Sequence, residues 1–238
     1  MRKIKAVLFD LDGTLLPMDQ EKFMHAYFGL LAEELAPRGY EPKKLISAVW
    51  DGTKAMVLND GSVTNEEAYW NRFCEIFGED AVKEKDALER FYETRFDAVS
   101  ASCGHDPSAA LTVRALRDMG LRTVLATNPL FPAVATRARM RWAGLSEDDF
   151  EFFTAYENSS YTKPNLNYYR MILERLGEAP EDCLMVGNDV DEDMIAEELG
   201  MRVFLVQKCL INKKEKDVSV YPRGTFEDLL AFVKGING

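Results

Sequence analysis

The sequence predicts an α/β fold: a Rossmann-like, doubly wound parallel sheet with an all-helical cap domain inserted after its first strand. Three observations carry that prediction. A short apolar run, Ala6-Val7-Leu8-Phe9, meets Asp10, Asp12, Gly13 and Thr14 and turns. Residues 19 to 100 then show helical periodicity with almost no strand signal. From residue 107 onward, helix and strand patterns alternate.

The apolar run, bounded by glycine, reads as a buried strand. Asp10 and Asp12 flank a single residue, so on an extended chain their side chains point the same way. Gly13 lets the backbone turn where a side chain would clash. Two like charges held together raise each other's cost of ionisation. Either a bound cation neutralises the pair, or one acid stays protonated and works as a proton donor. The plain alternative is an Asp-Gly turn with Asp12 in an Asx role.

The helical block follows. Phe23, Tyr27, Leu30, Leu31 and Leu35 recur at helical spacing, and Leu45, Val49 and Met56 repeat it more weakly. Thr64 and Glu67 form a capping box before Tyr69, Phe73, Ile76 and Phe77, with Gly78 as a stop. Leu88, Phe91, Tyr92, Phe96 and Val99 make a fourth stripe. Four amphipathic helices in succession predict a small bundle, with the aromatic stripes as its core.

Beyond it, residues 107 to 119 read as a helix stopped at Gly120, and 121 to 126 as a strand. A helix over 131 to 142, a strand in DFEFFTAY, and a helix in NLNYYRMILERLG with Gly177 past its end come next. CLMVG is a strand, MIAEELG a helix and RVFLV a last strand. Such alternation implies a mostly parallel sheet with helices on both faces. The division is a core of residues 1–17 and 104–238 and a helical cap of residues 18–103.

Bulk properties narrow the function. The 238 residues are 47% hydrophobic and 29% charged, the balance of a soluble globular protein. No apolar stretch approaches the ~20 residues of a membrane span, and the run after Arg2, Lys3 and Lys5 is too short for a signal peptide. Cys74, Cys103, Cys183 and Cys209 are scattered with no CxxC pair, which reads as free thiols in a reducing cytosol. A net charge of −11 argues against nucleic acid as a partner. An anionic substrate would need local positive charge.

In open α/β sheets, ligands sit beyond the carboxyl ends of the strands. Asp10, Asp12, Gly13 and Thr14 follow the first strand; Thr127 and Asn128 follow the second. Lys163 and Pro164 stand near the helix after the third, and Gly187, Asn188, Asp189 and Asp193 follow CLMV. This rim suits phosphoryl transfer through an aspartyl phosphate, because a carboxylate nucleophile splits one hard displacement into two easier ones. A hard cation held by carboxylate and carbonyl oxygens fits Mg²⁺. Thr127 and backbone N–H groups in the turn after Asp10 can donate to phosphate oxygens, and Lys163 supplies fixed positive charge.

The order DLDGT, a strand ending in Thr, Lys-Pro and GNDVDED resembles the haloacid dehalogenase-like hydrolase superfamily, across nearly the whole core. The resemblance implies Asp10 as nucleophile and Asp12 as the acid that protonates the leaving oxygen and later activates water. It implies Thr127 and Lys163 as phosphate holders, and Asp189 beside the Asp10 side chain and the Asp12 carbonyl around Mg²⁺. Asp193 would orient Lys163. The helical insertion looks like the family's cap, which favours small substrates. Asp12 favours phosphate esters over halide release, since dehalogenase members lack it. One departure stands out: the usual Gly-Asp of the fourth motif is here Gly187-Asn188, so Asp189 is taken as the ligand and Asn188 as a neighbour.

The expected function is therefore a Mg²⁺-dependent phosphatase acting on a small phosphorylated metabolite, with a sugar-phosphate mutase and a non-catalytic phospho-ligand binder as rivals. A receiver domain is disfavoured by the helical insertion and the DGT turn. Asn128 either touches substrate or shapes the turn before Pro129. Arg137, Arg139 and Arg141 are expected on a solvated helix face, Asp191 and Glu192 at a helix start. Trp50, Lys54, Trp70 and Arg72 are expected to pack or to lie on the surface, with reading of the leaving group as the sharper alternative. His25 and His105 receive no role.

Overall fold

A computed structural model describes residues 2–238. Its centre is a six-stranded, wholly parallel sheet in the order β3-β2-β1-β4-β5-β6. The strands are β1 (Ala6–Phe9), β2 (Arg122–Leu125), β3 (Phe152–Phe153), β4 (Cys183–Gly187), β5 (Arg202–Val206) and β6 (Arg223–Gly224). β1 is wholly buried and pairs with both β2 and β4. The chain therefore builds outward on one side of β1 and then crosses to the other. That reversal leaves a crevice at the carboxyl ends of β1 and β4.

Alternation along β1 divides the core into two layers. Val7 and Phe9 pack with the helices α5 (Pro107–Asp118) and α8 (Phe226–Asn237), through Val113, Leu116, Leu229 and Val233. Ala6 and Leu8 face α7 (Leu166–Leu176), through Tyr168, Tyr169 and Ile172. Helices thus cover both faces, as the alternating sequence pattern requires.

The insertion is a bundle of α1 (Gln20–Leu35), α2 (Pro42–Val57), α3 (Asn65–Phe77) and α4 (Lys85–Thr94). Thr64 and Glu67 make the expected capping box. Phe23, Tyr27, Leu45, Phe73 and Phe91 build a separate core. That core also takes Ala135 and Ala138 from α6 (Ala133–Trp142), so α6 lies between cap and sheet. The chain enters and leaves the insertion side by side: Met18 bridges antiparallel to Cys103, and Gly104 N–H donates to Pro17 O at 2.6 Å. At the opposite margin Asn65, fully buried, donates to the carbonyls of Pro129 and Tyr161.

Two expected elements are shorter than the sequence suggests. DFEFFTAY yields only Phe152–Phe153, an edge strand paired on one side with β2. Asp149, before it, instead accepts from Arg114 and from the Ser146 N–H, which holds that stretch in a turn. MIAEELG forms a single 3₁₀ stretch, Met194–Leu199, ended by Gly200 in the left-handed region. Among the described residues no helix is long and apolar enough to cross a membrane, and the four cysteines are unpaired.

Candidate active site

Asp10 leaves the sheet with its N–H bonded to Val186 O at 2.9 Å, which ties it to the β1–β4 crevice. It is buried. Its Oδ1 accepts from Lys163 Nζ at 2.8 Å, and its Oδ2 from Thr14 Oγ1 at 2.9 Å. Lys163 Nζ also reaches Asp193 Oδ1 at 2.6 Å, so one buried ammonium lies between two carboxylates. Burial alone would lower the lysine, but Asp10 and Asp193 outweigh it and hold the pKa well above the ordinary range. Burial pushes the Asp193 carboxyl up, against the pull of Lys163. Asp193 can reach so far because Gly187 has no side chain: a Cβ there would overlap the Asp193 carboxylate.

Asp12 is held by Arg139, a residue expected on a solvated helix face but found buried. Arg139 is 1% exposed, and its guanidinium pairs with Asp12 Oδ2 while lying 4.6 Å from the centroid of the Phe131 ring. Arg137 and Arg141 do lie on the surface, bound to Glu147 and Asp97. The correction follows from helix geometry. Residues two apart point about 200° away from each other, whereas residues four apart nearly coincide. So 137 and 141 share a face, and 139 takes the opposite one. Burial raises the Asp12 pKa, Arg139 lowers it, and the Asp10 charge raises it; the net shift is upward. Asp12 Oδ1 is buried with no hydrogen-bond partner.

Thr127 is equally prepared. Its carbonyl accepts from Thr154 Oγ1 at 2.6 Å and from the Tyr168 hydroxyl at 2.9 Å, which fixes the residue. Its own Oγ1 is buried and unpartnered. A buried hydroxyl without a partner costs stability unless a ligand accepts from it.

Asn128 lines the cavity with its amide already engaged at both ends. Its Nδ2 donates to Glu192 Oε2 at 3.0 Å and its Oδ1 accepts from Lys163 N at 3.2 Å, so it braces the rim. The turn after Asp10 is partly committed: Gly13 N–H donates to Leu16 O at 2.8 Å and Thr14 N–H to Leu11 O at 3.2 Å. Those two amides are spent within the turn, whereas the N–H groups of Leu11 and Asp12 are not. Gly13 has φ 90°, and a Cβ there would strike the Asn188 amide, so glycine is required.

Asn188 lies beside Asp10. Its Nδ2 donates to Cys209 O at 2.6 Å, which turns Oδ1 toward Thr14 Oγ1 at 2.9 Å, the same hydroxyl that Asp10 Oδ2 accepts from. Asp189 Oδ1 accepts from the N–H groups of Asp191 and Glu192, capping the turn. Among the described residues no three acidic, histidine or cysteine side chains converge enough to cage a metal alone. The donors at hand are the Asp10 and Asp189 carboxylates, the Asn188 amide oxygen and the Asp12 carbonyl. An oxygen-only set with few protein ligands fits Mg²⁺, which keeps waters for the rest.

Glu192 was missed as a site residue. It lines the same cavity as Asp10, and burial raises its pKa to about 7, with Lys163 pulling the other way. Only the fold of the turn aims it inward. Asp191, its neighbour, pairs on the surface with Lys216 at 2.7 Å and Lys214 at 3.2 Å. A cavity of about 350 Å³ joins Asp10, Asp12, Thr127 and Glu192 to aromatic side chains of the cap.

A model of the haloacid dehalogenase-like hydrolase family matches residues 4–198. The chain is 25% identical to the glyceraldehyde 3-phosphate phosphatase of Methanocaldococcus jannaschii over 98% of both chains. It is 27% identical to the phosphoglycolate phosphatase of Salmonella paratyphi A, over 84% of this chain and 80% of that one. Among solved structures, the HAD phosphatase of Thermococcus onnurineus matches with a TM-score of 0.61 at 22% identity, covering 99% of this chain and 100% of that one. The magnesium-bound HAD-hydrolase YfnB of Bacillus subtilis matches at 0.59 and 18%, over 98% and 100%.

Proposed function

From the premise that this chain belongs to the haloacid dehalogenase-like hydrolases and is a phosphoric monoester hydrolase, we propose that it cleaves a small phosphorylated metabolite through an aspartyl phosphate on Asp10. The observation that carries the reading is a buried nucleophile set among prepared but unspent groups. Lys163 and Thr14 hold Asp10, while Thr127 Oγ1 and Asp12 Oδ1 have no partners within the fold.

In this reading Asp10 attacks phosphorus, and Lys163 and Thr127 take up charge on the phosphoryl oxygens. Asp12 gives a proton to the leaving oxygen through Oδ1, then takes one from the attacking water. A carboxyl must be raised to do the first step near neutral pH, and burial raises this one. Asp10, Asp189, Asn188 and the Asp12 carbonyl would hold Mg²⁺, whose charge offsets the acids and the phosphoryl group. Glu192 and Asn128 shape the rim. The unpaired thiols fit a cytoplasmic setting.

The test is phosphate release from a panel of phosphorylated metabolites with Mg²⁺, run beside Asp10→Asn. Loss of about 10⁴-fold or more in the variant, and loss with chelator, are expected. Product analysis with a hexose 1-phosphate separates hydrolysis from isomerisation: a mutase returns an isomer and little free phosphate.

A further inference from the structure

The cap side of the cavity has a definite chemistry. Phe23, Phe28, Trp50, Tyr69, Trp70 and Phe131 line it. Tyr27 and Tyr92 also border it, and their hydroxyls are joined to each other at 2.8 Å, which uses one of the two protons. Trp70 is different. It is 6% exposed, and its Nε1 has no acceptor, although the Tyr156 hydroxyl is near enough to feel it. An indole N–H is a donor only, and burying one unpaired costs stability that an acceptor on a ligand would recover.

Charge is as informative. Lys85 borders the cavity but is paired with Glu66 at 2.5 Å. Arg139 is taken by Asp12. Glu89 on the cap side is exposed, and Lys213, also exposed, borders the cavity on the side of Asn188 and Ile211. No buried, unpaired cation stands in the cap half among the described residues. A leaving group carrying a carboxylate or second phosphate would lose its hydration there without a counter-charge.

We propose that the leaving group is an uncharged, aromatic or apolar alcohol bearing one hydrogen-bond acceptor, which Trp70 Nε1 engages. This rests on the phosphatase reading and names its substrate class. The aromatic walls supply apolar area and ring contacts, and the buried Trp70 donor sets orientation. Phosphate esters of short carboxylic acids are disfavoured.

The test separates recognition from turnover. Binding of benzyl phosphate, pyridin-3-ylmethyl phosphate and 2-phosphoglycolate to Asp10→Asn with Mg²⁺ is measured by calorimetry. Both aromatic esters are expected to bind at least about tenfold more tightly than phosphoglycolate. Adding Trp70→Phe is expected to weaken the pyridyl ester several-fold and leave benzyl phosphate nearly unchanged, which also shows that the pocket still folds. Equal or tighter binding of phosphoglycolate overturns the proposal, as does an equal effect of Trp70→Phe on both aromatic esters. Wild-type turnover of the same esters addresses the phosphatase reading separately: tight aromatic binding without phosphate release would defeat that reading and leave the pocket assignment standing.

Discussion

Arg139 on α6 is bound to Asp12 at the end of β1, an ion pair that crosses from the layer under the cap to the strand bearing the two acids. The guanidinium is further held by Thr136 Oγ1 at 3.2 Å and by the face of Phe131. Asp12 keeps one oxygen free while the other is clamped. The pair therefore orients the acid and limits how far burial can raise its pKa.

Removing the clamp leaves the partly buried Asp12 without its counter-charge. Arg139→Met is expected to lower stability by about 3 kcal/mol, since breaking a buried pair costs more than replacing both partners. Urea unfolding measures it, and an unchanged midpoint would show that the pair carries no structural weight. In the same variant the Asp12 pKa should rise further, moving the alkaline limb of kcat/KM to higher pH.

Metal binding should be visible as stability. Mg²⁺ at a hundredfold excess over its Kd is expected to add about 2.7 kcal/mol. Asn188→Ala and Asp189→Ala should each shrink the thermal shift between Mg²⁺ and chelator, whereas Asn188→Asp should keep or enlarge it. An undiminished shift in Asn188→Ala would remove the amide from the ligand set.

Glu192 gives a pH dependence of known sign. Its ordinary pKa of 4.5 is raised to about 7 by burial. Between those values the folded protein binds more protons than the unfolded chain, so this residue's contribution is full at low pH and is lost as pH rises toward 7. The loss is about 3 kcal/mol. Glu192→Gln removes it. Measured in chelator, the variant should therefore gain about that much on wild type between pH 5 and pH 8; a constant difference would place Glu192 in water.

Gly187→Ala tests the reach of Asp193. The added Cβ meets the Asp193 carboxylate, and the side chain would have to leave Lys163. A loss of about 2 kcal/mol is expected, together with a sharp fall in phosphate release. Unfolding and activity should fall together; a stable, fully active variant would mean that Asp193 can find another path to the lysine.

The fold was legible because each layer writes its own period. Val7 and Phe9 alternate with Ala6 and Leu8, which sends them to different faces of the sheet, and the aromatic stripes from Phe23 to Phe96 repeat at helical spacing. The rim positions Asp10, Asp12, Thr127, Lys163 and Asp193 could be named because they follow strands, and the strands are parallel. The shortness of β3 could not be read, since it depends on Asp149 being drawn to Arg114 from another helix.

What the sequence determined by itself is local: period, caps, turns and the order of acids, hydroxyl and lysine along the chain. The tertiary structure decided which of these groups are spent and which are free. Asn128 braces the rim and the Gly13 amide is spent on the turn, whereas Thr127 Oγ1, Asp12 Oδ1 and Trp70 Nε1 are buried without partners. It also turned Arg139 inward and Glu192 into the cavity. The physical reason is that satisfaction of a polar group depends on neighbours from distant segments. Asp12 and Arg139 are 127 residues apart, and only the closed fold makes them partners.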